Sequence, residues 1–375
     1  MKLTKLSLLN FRNIQKEEIL FSKNINVFYG GNGQGKTSVL ESIYLLGLTK
    51  SFRVNDDKAV LKQGSEYFDI SGNFKKDKGK EFSVRVFFSG TKGKHVFYNQ
   101  KKVKSFSSII GVVPIILLSL EDLTLTYGSP AARRKFVDIL ISQIDAQYLQ
   151  ALKKFKEVLQ QRNKILSLIS EKEAQISDLV PWDIQFSKFA AYIIFKRKII
   201  LDHLKSLIST LYKTMSGTKD EIGIKYNTFV QVDFKQDAIE QLKARINQKL
   251  DETQRKDIYY GSTTSGPHRD DIIFFKNNQP LKTFGSQGEN KTFLISLKFA
   301  EARLIEKELK ERPLLLLDDI FSELDKSRIE NVIKSIIAEK CQTFITSTTA
   351  ENFKKSNLAD LDFFKLTGGT VAHET

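Results

Sequence analysis

The chain has 375 residues, 41% apolar and 27% charged, which is long enough for two domains or for one large domain with an insertion. Its 59 Lys+Arg against 44 Asp+Glu give a formal net charge of +15, favouring a polyanionic partner, either nucleic acid or an anionic membrane surface. A single cysteine, Cys341, excludes an intramolecular disulfide and suits a reducing cytoplasm. The start lacks a secretory apolar core, and apolar runs such as 112–118 fall far short of the roughly 20 residues of a membrane span. The expected location is therefore cytoplasmic, with no membrane.

Residues 3–9 and 25–29 predict strands. Gly30-Gly31-Asn32-Gly33-Gln34-Gly35-Lys36-Thr37 follows and fits G-x-x-x-x-G-K-[ST], and 38–48 reads as a helix. Strand, loop and helix in that order are what a phosphate-binding loop needs. Its glycines turn backbone N–H groups onto phosphate oxygens, and the helix N-terminus adds partial positive charge. Lys36 is expected to reach the β- and γ-phosphates of ATP, and Thr37 to ligate Mg²⁺.

Short alternating runs at 67–71, 82–88 and 95–98 predict strands separated by turns. This stretch is basic: Lys75, Lys76, Lys78, Lys80, Arg85, Lys92, Lys94, Lys101, Lys102 and Lys104 stand against Asp77 and Glu81. Two readings are open, solvated hairpin tips whose lysines block edge pairing, or contacts to a DNA backbone.

From about 131 to 249 the pattern becomes helical. Phe136, Leu140, Ile144, Tyr148, Leu152, Phe155 and Leu159 recur at steps of three and four, predicting one face of a long amphipathic helix. A polar connector at 171–178 precedes a second helix starting at Pro181-Trp182. The stretch is too short and irregular for a long coiled coil.

Beyond it, 261–271 reads as a loop, 272–275 as a strand and 289–310 as a helix. Ser286-Gln287-Gly288-Glu289 opens that helix, presenting a hydroxyl and free N–H groups that suit an anion; plain helix capping is the alternative. Pro313 precedes a buried strand at 314–317 that ends in Asp318-Asp319. A buried strand that stops there delivers acid to a ligand: Asp318 to hold Mg²⁺, Asp319 to orient or deprotonate the attacking water. Ser322-Glu323-Leu324-Asp325 follows, and 344–346 is a further short strand. His268 has no second His or Cys at ligand spacing, which argues against zinc.

The order of phosphate loop, helical insertion, Ser-x-Gly-Glu, strand-Asp-Asp and Ser-x-Leu-Asp resembles an ABC-type ATPase head of the kind found in SMC proteins. The expected fold is α/β: an ABC-type P-loop ATPase head (1–125 and 255–375) with an added β subdomain and a helical second lobe (126–254). Nearly the whole chain, from Lys2 to about Leu366, resembles the RecF family of bacterial recombination mediator and gap-repair ATPases. That likeness rests on Asn10-Phe11-Arg12-Asn13, on the phosphate loop running into Leu40-Glu41-Ser42-Ile43-Tyr44, and on Ser51-Phe52-Arg53. It rests also on Gly128-Ser129-Pro130, Arg133-Arg134-Lys135-Phe136-Val137-Asp138, Gly266-Pro267-His268-Arg269-Asp270-Asp271, Ser286-Gln287-Gly288 with Lys291-Thr292, and Asp318-Asp319. Departures are a Leu in Leu118-Ser119-Leu120-Glu121-Asp122 where the family usually has Pro, and Glu289-Asn290 where it mostly has Gln-Gln; Ser347-Thr348-Thr349, where ABC transporters place a switch histidine, resembles the family's hydroxyl residues.

The resemblance implies a weak, DNA-stimulated ATPase. ATP would bind Gly30 to Thr37 with Arg12 and Asn32 nearby. Ser286, Gly288 and Glu289 of one subunit would complete the ATP site of another in an ATP-dependent homodimer. That dimer would clamp double-stranded DNA near the single-strand/duplex junction of gapped DNA and help load recombinase, with RecR and RecO as partners. Two alternatives remain: an ABC-type transporter ATPase subunit, and a near-inactive structural DNA clamp.

Overall fold

The computed structural model describes residues 1–231, 238–323, 326–354 and 360–374. It divides into two compact units, Met1–Leu123 with Lys291–Thr375, and Thr124–Asn290. The expected division returned to the head at 255. The return instead falls at 290/291, because the segment read as head α/β forms a small sheet of the second unit.

The first unit opens with β1 (Lys2–Phe11), β2 (Ile14–Leu20), β3 (Ile25–Tyr29), α1 (Lys36–Leu48), β4 (Tyr67–Lys75), β5 (Glu81–Ser89), β6 (Gly93–Tyr98), β7 (Lys101–Lys102) and β8 (Ile115–Ser119). The second unit holds α2 (Thr124–Tyr127), α3 (Pro130–Ile144), α4 (Ala146–Ser170), α5 (Val180–Ser216), β9 (Ile222–Asn227), α6 (Ala238–Tyr260), β10 (Asp271–Lys276), β11 (Gln279–Pro280) and α7 (Leu281–Phe284). The unit boundary falls inside α8 (Gln287–Leu309). The first unit then resumes with β12 (Leu314–Asp318), α9 (Lys326–Glu339), β13 (Thr343–Ser347), α10 (Glu351–Lys354), β14 (Leu361–Thr367) and β15 (Thr370–Glu374).

Two six-stranded sheets build the first unit. One is antiparallel, in the order β2-β1-β4-β5-β6-β7. The other runs β15-β14-β3-β13-β12-β8, parallel throughout except where β15 turns back on β14. Its strands are apolar on both faces, as a covered parallel sheet requires: β12 reads Leu-Leu-Leu-Leu before Asp318. Helix α1 packs against strands of both sheets, and every residue in it but Thr37 is buried. A helix apolar all round is the sequence mark of that sandwiched position. Phe21, Phe28, Phe344 and Phe364 form an edge-and-stack aromatic cluster beside β3, with ring centroids 5.1–6.3 Å apart.

In the second unit the single long helix expected across 136–159 is two. The chain breaks at Asp145 (φ −138°, ψ 102°), whose carboxylate accepts from the Tyr148 N–H at 2.9 Å and caps α4. Apolar periodicity carries across such a break, so the spacing alone did not show it. The second helix begins where Pro181 stands, in its first turn, and ends at Gly217, which takes the left-handed conformation (φ 67°). β9, β10 and β11 form a three-stranded antiparallel sheet.

Candidate nucleotide-binding site

β3 runs into the phosphate loop at the middle of the mainly parallel sheet. Gly30, Gly33 and Gly35 have φ of 149°, 77° and 105°, which side-chain-bearing residues rarely adopt. A Cβ at position 30 would lie 2.5 Å from the Leu366 carbonyl oxygen, and one at 35 would lie 2.8 Å from the Asn13 amide, so both positions are closed to larger residues. The Gln34 carbonyl accepts from the Gly369 N–H at 3.1 Å, tying the loop to the β14–β15 turn. Asn13 donates to the Gly33 carbonyl at 3.3 Å and secures its other side.

The loop opens into a cavity of about 650 Å³ lined by Arg12, Asn32, Gly33, Gly35, Lys36, Thr37, Arg53, Asp319 and Thr346, among others. Lys36 is only 8% exposed; its ammonium donates to the Gly30 and Gly31 carbonyls at 2.7 and 2.8 Å. Burial lowers its pKa, against the opposing pull of Asp319 and Asp318. Asp318, at the end of β12, accepts from the Thr37 hydroxyl at 2.9 Å and from the Thr346 hydroxyl at 2.8 Å. Burial raises the Asp318 pKa, while those two hydroxyls draw it back. Asp319 follows with φ 52°, and its N–H donates to the same Thr346 hydroxyl at 2.8 Å. The left-handed conformation, which Asp tolerates better than most residues, sends consecutive carboxylates in different directions. An alcohol and a carboxylate side by side at a helix start form a hard-oxygen pair of the kind that suits Mg²⁺. The residues present therefore fit a nucleotide triphosphate with its metal.

Arg12 forms a two-pronged ion pair with Glu41, at 2.9 and 2.6 Å, and donates to the Ala59 carbonyl at 2.7 Å. Glu41 is fully buried on α1; it also accepts from the Ser51 hydroxyl and lies 3.7 Å from Arg53. The sequence placed Arg12 at the site. It assigned no part to Glu41, Arg53, Asn13 or Thr346. The available signal was a carboxylate in a helix otherwise made of core residues, since charges are almost never fully buried unless paired.

The family model for the RecF/RecN/SMC N terminal domain matches residues 2–365. The DNA replication and repair protein RecF of Chloroherpeton thalassium is 38% identical over 354 residues, covering 94% of this chain and 96% of that protein. The protein of the same name from Ruminiclostridium cellulolyticum is 36% identical over 362 residues, covering 96% of each. The solved structure of the recombination mediator protein RecF-ATPrS in RecFOR pathway superposes with a TM-score of 0.91 at 30% identity, over 100% of this chain and 98% of that one. The chain belongs to the RecF family. An Smc head bound to the C-winged helix domain of ScpA shares the fold, with a TM-score of 0.58 at 15% identity. The ABC-type ATPase head expected from the motif order is thus the fold found.

Ser286, Gly288 and Glu289 lie in the second unit. They form a reciprocal cap on α8: the Ser286 N–H donates to the Glu289 carboxylate at 2.9 Å, and the Glu289 N–H to the Ser286 hydroxyl at 3.2 Å. Lys276 pairs with Glu289 and is the main cause of its lowered pKa. Glutamate in place of the family's usual glutamine is therefore accounted for by a lysine partner and a cap. Ser286 itself stays exposed. In the segment 118–122, β8 runs through Leu118 to Ser119, whose N–H donates to Asp122 at 2.8 Å. Leu324 and Asp325 of the Ser-x-Leu-Asp motif lie outside the described residues. Among the described residues no three or more His, Cys, Asp or Glu side chains cluster as a metal site of their own. No helix among the described residues is long and apolar enough to cross a membrane.

Proposed function

We propose that this chain is a DNA-binding ATPase of recombinational gap repair, whose heads pair head-to-tail on ATP to clamp duplex DNA near single-strand/duplex junctions. One observation carries the reading. Lys36, Thr37 and Asp319 line one cavity, with Asp318 bonded to Thr37, while Ser286 stands exposed at the start of α8. The Ser286 hydroxyl serves a cap within its own chain yet stays exposed, which fits a partner subunit's nucleotide meeting it there.

Gly30 to Thr37 would hold the phosphates, with Lys36 reaching the β- and γ-phosphates and Arg12 and Asn32 flanking them. Mg²⁺ at Thr37 and Asp318, when bound, neutralises phosphate charge. Asp319 orients the attacking water. Phosphoryl transfer is mostly positioning and charge neutralisation, so half a site is expected to turn over slowly. The relatives' names supply the DNA replication and repair context and a RecFOR pathway; the junction substrate, recombinase loading, and RecR and RecO as partners are part of this proposal.

Sedimentation with gapped duplex, with and without ATP, tests this. Wild type gains mass and binds DNA more tightly with ATP. Lys36→Ala loses both. Ser286→Ala remains a folded monomer, lowered in stability by about 1 kcal/mol through the lost cap, yet gains no mass with ATP. Wild-type behaviour in both variants overturns the dimer switch. A transporter subunit would show no duplex affinity at all.

A further inference from the structure

The antiparallel sheet of the first unit buries one face and leaves the other in solvent. Phe68, Ile70, Val84, Val86 and Val96 are fully buried, whereas the alternating positions carry rings that are partly or well exposed. Phe87 on β5 and His95 on β6 are register partners, and Tyr67 on β4 reaches Phe87 along the diagonal. The Tyr67 and Phe87 centroids are 5.7 Å apart and those of Phe87 and His95 6.4 Å, and the planes of Phe87 and His95 agree to within 5°. In the next row Arg85 forms an ion pair with Asp69 and lies over the Phe97 ring, 5.2 Å from its centroid. Lys102, exposed on the edge strand β7, is the register partner of Phe97.

Cross-strand aromatic pairs stabilise sheets, and that accounts for contact between the rings. It does not account for three half-open rings on the solvent face of hairpins whose turns carry the exposed lysines Lys78, Lys80 and Lys92. Rings with cations around them are what a single strand requires: each base has a face to stack, and each phosphate has a charge to meet. A protein partner would find the aromatic residues congenial, but the surrounding lysine excess favours a polyanion.

We propose that this outer sheet face, centred on Tyr67, Phe87 and His95, is a stacking platform for single-stranded DNA. None of the three lines the nucleotide cavity. The proposal rests on the reading above only in taking nucleic acid as the ligand.

Fluorescence anisotropy of a labelled oligothymidylate and a labelled duplex, each with and without ATP, tests it on the full chain. Oligothymidylate binds with or without ATP. Tyr67→Ala and His95→Ala each weaken it by about tenfold, the scale of one lost base–ring stack, with duplex affinity unchanged and the thermal midpoint lowered only slightly by the lost ring pair. In Tyr67→Trp, oligothymidylate quenches the new indole. Undiminished oligothymidylate binding in the alanine variants, or no quenching, overturns the platform. So does an equal loss of duplex binding, which marks a general cationic surface, or a loss confined to a protein partner. Oligothymidylate binding through these rings without ATP-dependent duplex binding leaves the platform standing and removes the clamp.

Discussion

Thr346 uses one hydroxyl for two hydrogen bonds, and they join the acids that the sequence sets side by side. It donates to the Asp318 carboxylate and accepts the Asp319 N–H, fixing the direction of both residues at the end of β12. The sequence noted hydroxyls at 347–349, where a transporter keeps its histidine, and gave no part to Thr346 just before them. Alternation along a buried strand does not say which hydroxyl turns toward a neighbouring strand. The pairing of β13 with β12 decides that, and it is a tertiary fact. Lys36, Thr37, Asp318 and Asp319 were legible because each belongs to a short motif with a fixed setting. Thr346 and Glu41 act through partners more than two dozen residues away in sequence, and no local pattern reports such pairs. Thr346→Val keeps the shape and removes the hydroxyl. ATP turnover is expected to fall about 10–100-fold, the usual cost of losing a residue that orients a metal ligand. Thr346→Ser is expected to keep most of the rate. Steady-state phosphate release measures both, and equal rates in valine and wild type would remove the role.

The loop 261–271 shows at the scale of an element what two buried arginines can hold. Arg197 donates to the Pro267 carbonyl at 2.7 Å and forms an ion pair with Asp138. Arg162, fully buried, donates to the Thr263 hydroxyl at 2.7 Å and meets Asp257 at 2.8 Å. Glycine, serine and proline made the segment readable as a loop, but arginines on helices 65 or more residues upstream gave no sign of this role. The loop carries two titrations of opposite sense. Burial beside Phe155 and Phe186, aided by Arg269 and Arg134, pushes the His268 imidazole down from 6.5 to about 4. Burial pushes Asp270 up from 3.8 to about 6, against Arg197, Arg134 and the Tyr226 hydroxyl. The depressed His268 contributes stability above pH 6.5 that is lost as pH falls through 4. The raised Asp270 contributes stability below pH 3.8 that is lost as pH rises through 6. Each is worth up to about 3 kcal/mol, and between pH 4 and 6 they oppose. His268→Asn should therefore tilt stability, relative to wild type, downward as pH rises from 4 to 6. Asp270→Asn should tilt it upward over the same range. Urea midpoints across that range give both slopes; curves parallel to wild type would refute the assignment.

At the scale of the whole molecule, the division into a head and a helical unit was legible from motif order, and its first boundary fell within two residues of 123/124. The second was missed because a strand such as β10 looks the same wherever its sheet belongs; only its pairing with β9 assigns it. Charge, unlike pairing, is read directly from composition, and it makes a prediction for the whole chain. An excess of 15 positive charges draws duplex DNA chiefly through its phosphates, and each contact releases counterions. A clamp touching about six to ten phosphates loses roughly 10³–10⁵ in affinity between about 50 and 200 mM salt. On the proposed reading ATP would close the clamp without changing the chain's charge, so the loss should be steep with ATP and shallower without it, where fewer phosphates are touched at once. Duplex titrations at four salt concentrations, with and without ATP, measure the two slopes. Equal slopes would mean that nucleotide changes nothing about how much DNA the protein holds. A slope near zero in both would mean that the net charge plays no part in binding.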